Sequence, residues 1–432
     1  MKYAIPKGTF DILPEEPKAD DKWKESNRWS YLEETMRILA QDYGYQEIRT
    51  PIFEQTELFV RGVGETSDIV SKEMYTFLDK GKRSMSLRPE GTASVMRAFV
   101  QGGLQQLGSF HKFFYIGPFF RYDRPQAGRY RQFHQFGIEA IGNKDPEQDF
   151  EVIDMLYELY RRLGLQNLTV MVNTLGTSKC RTEYKKNLLA FLKPHFNKLT
   201  TESQNRFTKN PLRILDSKDP KEQALLESAP TILEFLDEES QQHFDTLCAL
   251  LKQQNIPFAV TPKLVRGLDY YNRTVFEIAS DVLGAQNTIG AGGRFDGLLA
   301  TLGGPDLPSI GFSTGMERIL QTMEGQQCNF PLLPAPFVYF VPMGDRAKTR
   351  CFSFLYNLRH QRIPSEMAQA KKIQKALQTA EQLNASFSIV IGDEELEKEV
   401  AQVKTMKTRE TKEIPLDRLV ESLAQEWKTH GL

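Results

Sequence analysis

Between Lys22 and Tyr43, the residues Trp23, Trp29, Tyr31, Leu32, Met36, Leu39 and Ala40 recur at mostly three- and four-residue spacings. That is the repeat of a helix burying one face, and Gly44 ends it. The next segment, YQEIRTPIFE (45–54), reads as a strand interrupted by Pro51, which lacks the N–H that a central ladder needs. In KFFYIGPFFRYDRPQAGRYRQFHQFGIEAIG (112–142), two aromatic and β-branched runs flank a polar stretch with Pro125 and Gly128. This predicts a long antiparallel hairpin whose loop carries the charge. From about Thr177 to Phe258 the chain turns polar, rich in Lys and Gln and helical in period, as an inserted helical module would be. Strand-like patterning returns in LVRGLDYYNRTVFEIA (264–279). It is followed by the glycine-dense IGAGGRFDGLLATLGG (289–304) and by IGFSTGMERILQTM (310–323), whose spacing is helical. Three prolines in EGQQCNFPLLPAP (324–336) mark a linker. Beyond it, FVYFVPMG, a helical stretch and FSIVIGDEE repeat the strand, helix, strand rhythm of a small α/β domain. The expected division is 1–324, a linker at 325–333, and 334–432.

Bulk properties narrow the class. A length of 432 residues suits two or three folding units. Hydrophobic residues at 40% and charged residues at 26% place the whole chain among folded proteins. The net charge of -1 provides no global attraction for nucleic acid, so an RNA partner would have to be held by local patches. No run of about 18 uncharged apolar residues occurs, and MKYAIPKGTFDILPEE is too polar for a signal-peptide core. The expected location is the cytoplasm, with no membrane partner. Cys180, Cys248, Cys328 and Cys351 are isolated thiols, which points to neither a disulfide framework nor a zinc site.

The chain has no G-x-x-x-x-G-K-[ST] loop and no Gly-rich turn feeding a Rossmann helix, so a nucleotide would have to be held by side chains. Arg suits that task, because its planar, permanently charged fork matches phosphate oxygens. Arg121 ends the apolar run KFFYIGPFFR and must enter a polar cavity or solvent. Arg124, Arg129 and Arg131 cluster in the hairpin loop against Asp123 alone, although a merely solvated loop would look the same. Arg266 lies between apolar strand residues and precedes Gly267. An unpaired buried guanidinium is costly, so it should have an anionic partner. Arg318 sits in the helical GFSTGMERIL beside Glu317, with which a surface ion pair is the competing reading. Glu90 in RPEGT and Glu139 in QFGIEAIG are carboxylates in apolar company that need donors. Tyr270 and Tyr271 place adjacent phenols on a strand, pointing to opposite faces, with core packing as the alternative for each.

Together these segments closely resemble the class II aminoacyl-tRNA synthetases, and within them the histidyl enzymes, across nearly the whole chain. YQEIRTPIFE is similar to motif 1 with its proline at Pro51, FRYDRPQAGRYRQF to motif 2, and GFSTGMERIL to motif 3. LVRGLDYYNRTVFE and GAGGRFDGL resemble the two histidyl-specific boxes, and RPEGTASVMR the matching substrate segment. Tyr122, Asp123 and Ala127 stand where the family usually has His-Glu and a Lys.

The resemblance implies an α+β fold: a six-stranded antiparallel sheet flanked by helices, a helical insertion near the acceptor stem, and a C-terminal α/β anticodon-binding domain. It implies a homodimeric ligase that activates L-histidine with ATP and transfers it to tRNA(His). On the same basis Arg121 and Arg266 would flank the α-phosphate and Arg318 would hold the γ-phosphate, with Arg129 and Tyr130 also on ATP. Mg²⁺ would bridge the outer phosphates without dedicated protein ligands, and neither zinc nor an organic cofactor is implied. Glu90, Thr92 and Gln135 would receive the ammonium and carboxylate of histidine. Glu139 and Tyr271 would read the ring nitrogens, and Tyr270 would close the pocket. Arg124, Gln126 and Arg129 would hold the acceptor end. Two rivals share the fold: a synthetase-like regulatory subunit of ATP phosphoribosyltransferase, and a tRNA-binding sensor module. Neither needs all of Arg121, Arg266 and Arg318.

Overall fold

In the computed structural model, which describes residues 3–64, 67–123, 128–280, 288–331, 335–369 and 372–430, the N-terminal helical repeat becomes two elements. Trp23 lies in a 3-10 turn, Ala19–Lys24, and helix α1 spans Ser26–Asp42. The break falls at Glu25, whose extended backbone bridges to Leu13. The buried stripe of α1 is therefore Trp29, Leu32, Met36, Leu39 and Ala40. The segment around Pro51 also divides. β1 (Gln46–Glu47) joins the main sheet, whereas β2 (Phe53–Gln55) leads into α2 (Thr56–Val63). With β3 (Thr76–Leu78) and β4 (Ser84–Leu87), β2 forms a separate sheet in the order β2-β4-β3. Helix α3 (Thr92–Gln101) follows.

The expected hairpin is β5 (His111–Phe120) and β6 (Gln132–Ile141), in register from His111↔Ile141 to Phe120↔Gln132. After α4 (Pro146–Arg162) and β7 (Leu168–Thr174) come four helices: α5 (Ser178–Leu192), α6 (Thr201–Lys209), α7 (Pro220–Leu226) and α8 (Glu238–Gln253). Each begins at a Thr or Asp whose side chain accepts a backbone N–H that the helix leaves unpaired: Thr177, Thr200, Asp219 and Asp237. The chain re-enters the sheet with β8 (Phe258–Val260), β9 (Asn272–Ser280) and β10 (Thr288–Arg294). It then passes through the short α9 (Leu298–Thr301) to β11 (Ser309–Gly315) and α10 (Met316–Gly325). The sheet order is β1-β5-β6-β11-β10-β9-β7-β8. Its six central strands are antiparallel, and β1 and β8 extend it in parallel at the two edges.

Strand alternation sorts the two faces of this sheet. Phe136, Ile138 and Ala140 of β6, Phe276 and Ile278 of β9, and Ile310 and Phe312 of β11 enter one core with α1, α4 and α10. The intervening Gln135, Gly137 and Glu139 face the other side, where α3 and the insertion helices α5, α6 and α7 pack, whereas α8 joins the first core. Two sequence expectations change here. IGFSTG is strand β11, and the helix carrying Arg318 starts only at Met316, because Ile310 and Phe312 alternate into the core with Gly311 between them. LVRGLDYY is irregular, and the strand starts at Asn272. Tyr270 and Tyr271 therefore do not alternate; their rings pack together, with centroids 4.6 Å apart.

Residues Met1–Phe330 and Pro331–Leu432 form separate compact units. The second has a five-stranded sheet, in spatial order Ser365–Met367, Val338–Pro342, Phe387–Ile391, Val400–Thr405 and Thr411–Pro415. The first three strands are parallel, with helices Asp345–His360 and Ile373–Gln382 between them in sequence. Phe340 and Ile389 enter one core, and Tyr339 and Val341 enter another. Both faces of these strands are thus covered, as their near-continuous apolar runs require.

Candidate active site

A cleft of about 1030 Å³ opens on the polar face of the main sheet. At its inner end, Glu90 lies just before α3, and its two carboxylate oxygens accept the N–H groups of Thr92 (2.7 Å) and Ala93 (2.9 Å). Burial pushes its carboxyl up, opposed by these two bonds. Thr92 Oγ1 donates to Glu139 Oε1 at 2.8 Å, linking α3 to β6. Glu139 is only 1% exposed, and its Oε2 has no hydrogen-bond partner among the described residues. Burial, with Glu90 as a like charge nearby, pushes its carboxyl well above the usual range. A buried acceptor of this kind calls for a donor from a ligand.

Space for these groups depends on glycine. A Cβ on Gly91 or Gly137 would run into the Tyr115 ring, and one on Gly311 would run into the Glu139 carboxylate. Gln135 reaches Ser313 from Nε2 at 3.4 Å and leaves a buried Oε1 unpartnered. Tyr270 packs edge-on against Phe295, with centroids 5.5 Å apart, and burial pushes both the Tyr270 and Tyr271 phenols up.

Arg121, Arg129, Arg266 and Arg318 line the cleft, with Arg206 and Arg213 of the helical insertion. Arg266 lies over the Tyr271 ring and pairs with Glu277, which supplies the expected anionic partner. Burial works against its charge, and Glu277 together with Tyr271 and Tyr270 more than offsets this. Glu277 also accepts from Thr288 Oγ1 at 2.6 Å. Arg121 donates from Nε to the Pro89 carbonyl at 2.8 Å, with Glu73 and Glu90 providing its negative surroundings. Arg318 donates to the carbonyls of Thr288 (2.6 Å) and Gly128 (3.2 Å). The competing ion pair does not form, because Glu317 turns inward to His134, accepting from its backbone N–H at 2.9 Å and bonding its Nδ1 at 3.0 Å. Arg129 is exposed and pairs with Asp123 at 3.0 Å. Tyr130 is wedged against Phe10 and Trp23, with its hydroxyl on Gln321. Arg124 and Gln126 lie outside the described residues.

Sequence reasoning missed Glu277, Glu73 and Tyr115. Glu277 was within reach, since it is the polar member of V-F-E-I and alternates with the core residues Phe276 and Ile278. Glu73 and Tyr115 had no such signal. The glycine-rich GAGGRFDGL divides in two. Gly290 and Ala291 line the cleft, whereas Arg294 is fully buried on Asp149, away from it.

This geometry has known counterparts. Residues 19–319 match the family model for histidyl-tRNA synthetase, and residues 338–426 match the model for an anticodon binding domain. The histidine–tRNA ligase of Protochlamydia amoebophila (strain UWE25) is 55% identical over 424 residues, 98% of this chain and 100% of that protein. That of Desulforamulus reducens is 47% identical over 97% of this chain and 98% of its own length. The crystal structure of apo histidyl-tRNA synthetase from S. aureus superposes with a TM-score of 0.82 at 38% identity, covering 98% of this chain and 100% of that one.

Proposed function

The chain belongs to the histidyl-tRNA synthetase family, and from that premise we propose how its cleft divides the work of charging tRNA with histidine. Full-length likeness to histidine–tRNA ligases, together with the anticodon-binding domain, sets the regulatory-subunit reading aside. The observation that carries the site assignment is Glu139. It is a buried carboxylate with one oxygen held by Thr92 and the other unpartnered among the described residues, directly behind Thr92, which lines the same cleft as Arg121, Arg266 and Arg318.

In this reading the imidazole enters between Glu139 and Tyr271, a ring nitrogen meets Glu139 Oε2, and Tyr270 closes over it. Glu90, Thr92 and Gln135 receive the ammonium and carboxylate groups. An analogue lacking one ring nitrogen would leave a buried partner unpaired, a discrimination on the order of 10⁴-fold. A carboxylate oxygen of histidine then attacks the α-phosphorus of ATP. The bond from that phosphorus to the pyrophosphate oxygen breaks, and pyrophosphate leaves. The protein supplies position and positive charge rather than a nucleophile. Arg121 and Arg266 flank the α-phosphate, and Arg318, Arg129 and Tyr130 hold the rest of the nucleotide. Arg266 can serve because Glu277 fixes its plane while its Nε remains unpartnered among the described residues.

Mg²⁺ arriving with ATP would neutralise charge on the outer phosphates. Glu277, the carboxylate beside Arg266, would be the protein group nearest such an ion, which keeps water and phosphate ligands of its own. In the second step a terminal ribose hydroxyl of tRNA(His) attacks the carbonyl carbon and AMP leaves; Arg124, Gln126 and Arg129 would hold the acceptor end.

We further propose a homodimer acting in the cytoplasm. Ile52, Phe53, Phe77 and Leu78 are exposed around β2 and β3, beside Pro51, and an isologous contact there would cover them. ATP–pyrophosphate exchange measured with each of the twenty amino acids tests the pocket. Exchange with histidine alone is expected, and comparable exchange with any other amino acid would refute the assignment.

A further inference from the structure

The segment Leu264–Tyr271 brings Arg266, Tyr270 and Tyr271 to the cleft without a strand ladder to hold it. Its N–H groups at Leu264 and Asp269 find Thr261 and Val63. Much of the remaining restraint comes from side chains of the helical insertion. Asn210, just after α6, donates from Nδ2 to Asp269 Oδ1 at 2.7 Å. Arg181, in the first turn of α5, donates from Nη1 to the carbonyl of Tyr271 at 2.8 Å. Arg181 is half-buried and makes no ion pair among the described residues. A partly desolvated guanidinium used on a main-chain carbonyl is costly unless that bond is well made, so the contact defines where the Tyr271 backbone sits.

The same part of the insertion holds the facing segment of the cleft. Arg213 and Arg206 reach Asp68 Oδ2 at 2.7 and 3.4 Å, at the head of the turn Ile69–Glu73 that presents Glu73 near Arg121. The two segments also meet directly at Gly64, where a Cβ would collide with the Asp269 carboxylate. The residues from Arg206 to Arg213 thus grip both sides of the cleft, and Arg181 grips the Tyr271 backbone.

We propose that Arg181 and Asn210 are positioning residues for histidine activation: the insertion clamps Leu264–Tyr271, and with it Tyr271, into its pocket-forming place before any tRNA binds. This rests on the assignment of Tyr271 to the histidine pocket. Neither residue is placed on a substrate, so their effect must appear in histidine affinity through the segment they hold.

The test uses the full chain in histidine-dependent ATP–pyrophosphate exchange without tRNA. Arg181→Ala and Asn210→Ala should each raise KM for histidine about tenfold, the worth of one well-made charge-assisted or buried hydrogen bond, with kcat and KM for ATP within about twofold of wild type. Arg181→Lys, which can still donate to the Tyr271 carbonyl, should recover most of the loss. Three results would overturn the proposal: an unchanged histidine KM in both alanine variants, a fall in kcat alone as misfolding would give, or equal rises in KM for histidine and ATP. Glu139→Gln serves as the control for the pocket itself. An unaltered histidine KM in that variant would remove the pocket assignment, and the clamp with it, whatever the insertion variants show.

Discussion

Arg266 and Glu139 state opposite electrostatic problems. Arg266 is a half-buried cation with a partner, so replacing it tests geometry rather than burial. Arg266→Lys keeps the charge but loses the planar fork, and the rate of adenylate formation should fall on the order of 10²-fold, as for loss of one preorganised donor. Pre-steady-state kinetics should place the defect in activation, with transfer from preformed adenylate less affected; activation at the wild-type rate would refute the role. Glu139 is a buried carboxylate whose second oxygen has no partner among the described residues, and its carboxyl is held well above the usual range. The ligand-free folded chain therefore keeps a proton that the unfolded chain releases at about pH 4.3. Stability is lost as pH rises from there towards the raised value. Ligand-free Glu139→Gln, which has no such loss, should melt above wild type at pH 8, and the difference should close towards pH 4. The same variant should activate histidine poorly. A variant no more stable than wild type at pH 8 would contradict this reading of Glu139.

At the level of elements, the glycine-rich strand β10 is anchored by a residue that does not line the cleft. Arg294 is fully buried and bonds Asp149 of α4 at 2.7 Å, together with the carbonyls of Asn143 and Asp145 at 3.1 Å each. His243 of α8 bonds the other Asp149 oxygen at 2.8 Å, tying the insertion to the same point. Removing one partner leaves a charge buried and uncompensated, so Asp149→Asn should cost about 3 kcal/mol or more in urea unfolding of the full chain. Burial pushes the Asp149 carboxyl up, but Arg294 and His243 more than offset it and hold it below the usual range. The contribution is thus present above the unfolded pKa of about 4 and lost as pH falls through the lower folded value. Wild-type stability should show this acid-side loss, and Asp149→Asn should lack it. Equal acid-side slopes would count against the assignment.

For the molecule as a whole, every residue assigned to histidine or ATP lies before Phe330, where the first compact unit ends. A chain ending at Phe330 should keep histidine-dependent pyrophosphate exchange and lose tRNA charging. Loss of exchange in a folded, dimeric truncation would show that the second unit takes part in activation. The exposed apolar side chains around β2 and β3 are what the proposed dimer would cover, since a patch of this kind on one face is better covered than wetted. Sedimentation of the full chain should give twice the monomer mass, and an active species at the monomer mass would overturn the dimer. Charged substitutions at Phe53 and Phe77, whose rings meet at 6.3 Å, should shift the equilibrium towards monomer.

The hairpin β5–β6, the helical character of 177–258 and the strand, helix, strand order after the linker were legible because each depends on local periodicity and turn chemistry. So were Arg121 and Arg266 as residues of a polar cavity, since charges beside apolar runs stand out without a structure. Tertiary structure decided the rest. It ended the strand reading of Leu264–Tyr271, because that segment is held by Val63, Asn210 and Arg181 from elsewhere in the chain. It also turned IGFSTG from helix to strand, because Ile310 and Phe312 fill a core shared with β6 and β9. It gave Arg266 its Glu277, and Arg294 its buried Asp149 in place of a ligand. Periodicity records what a residue's neighbours in sequence require, whereas the partner of a buried charge is chosen by packing between elements far apart in the chain, and no local pattern contains it.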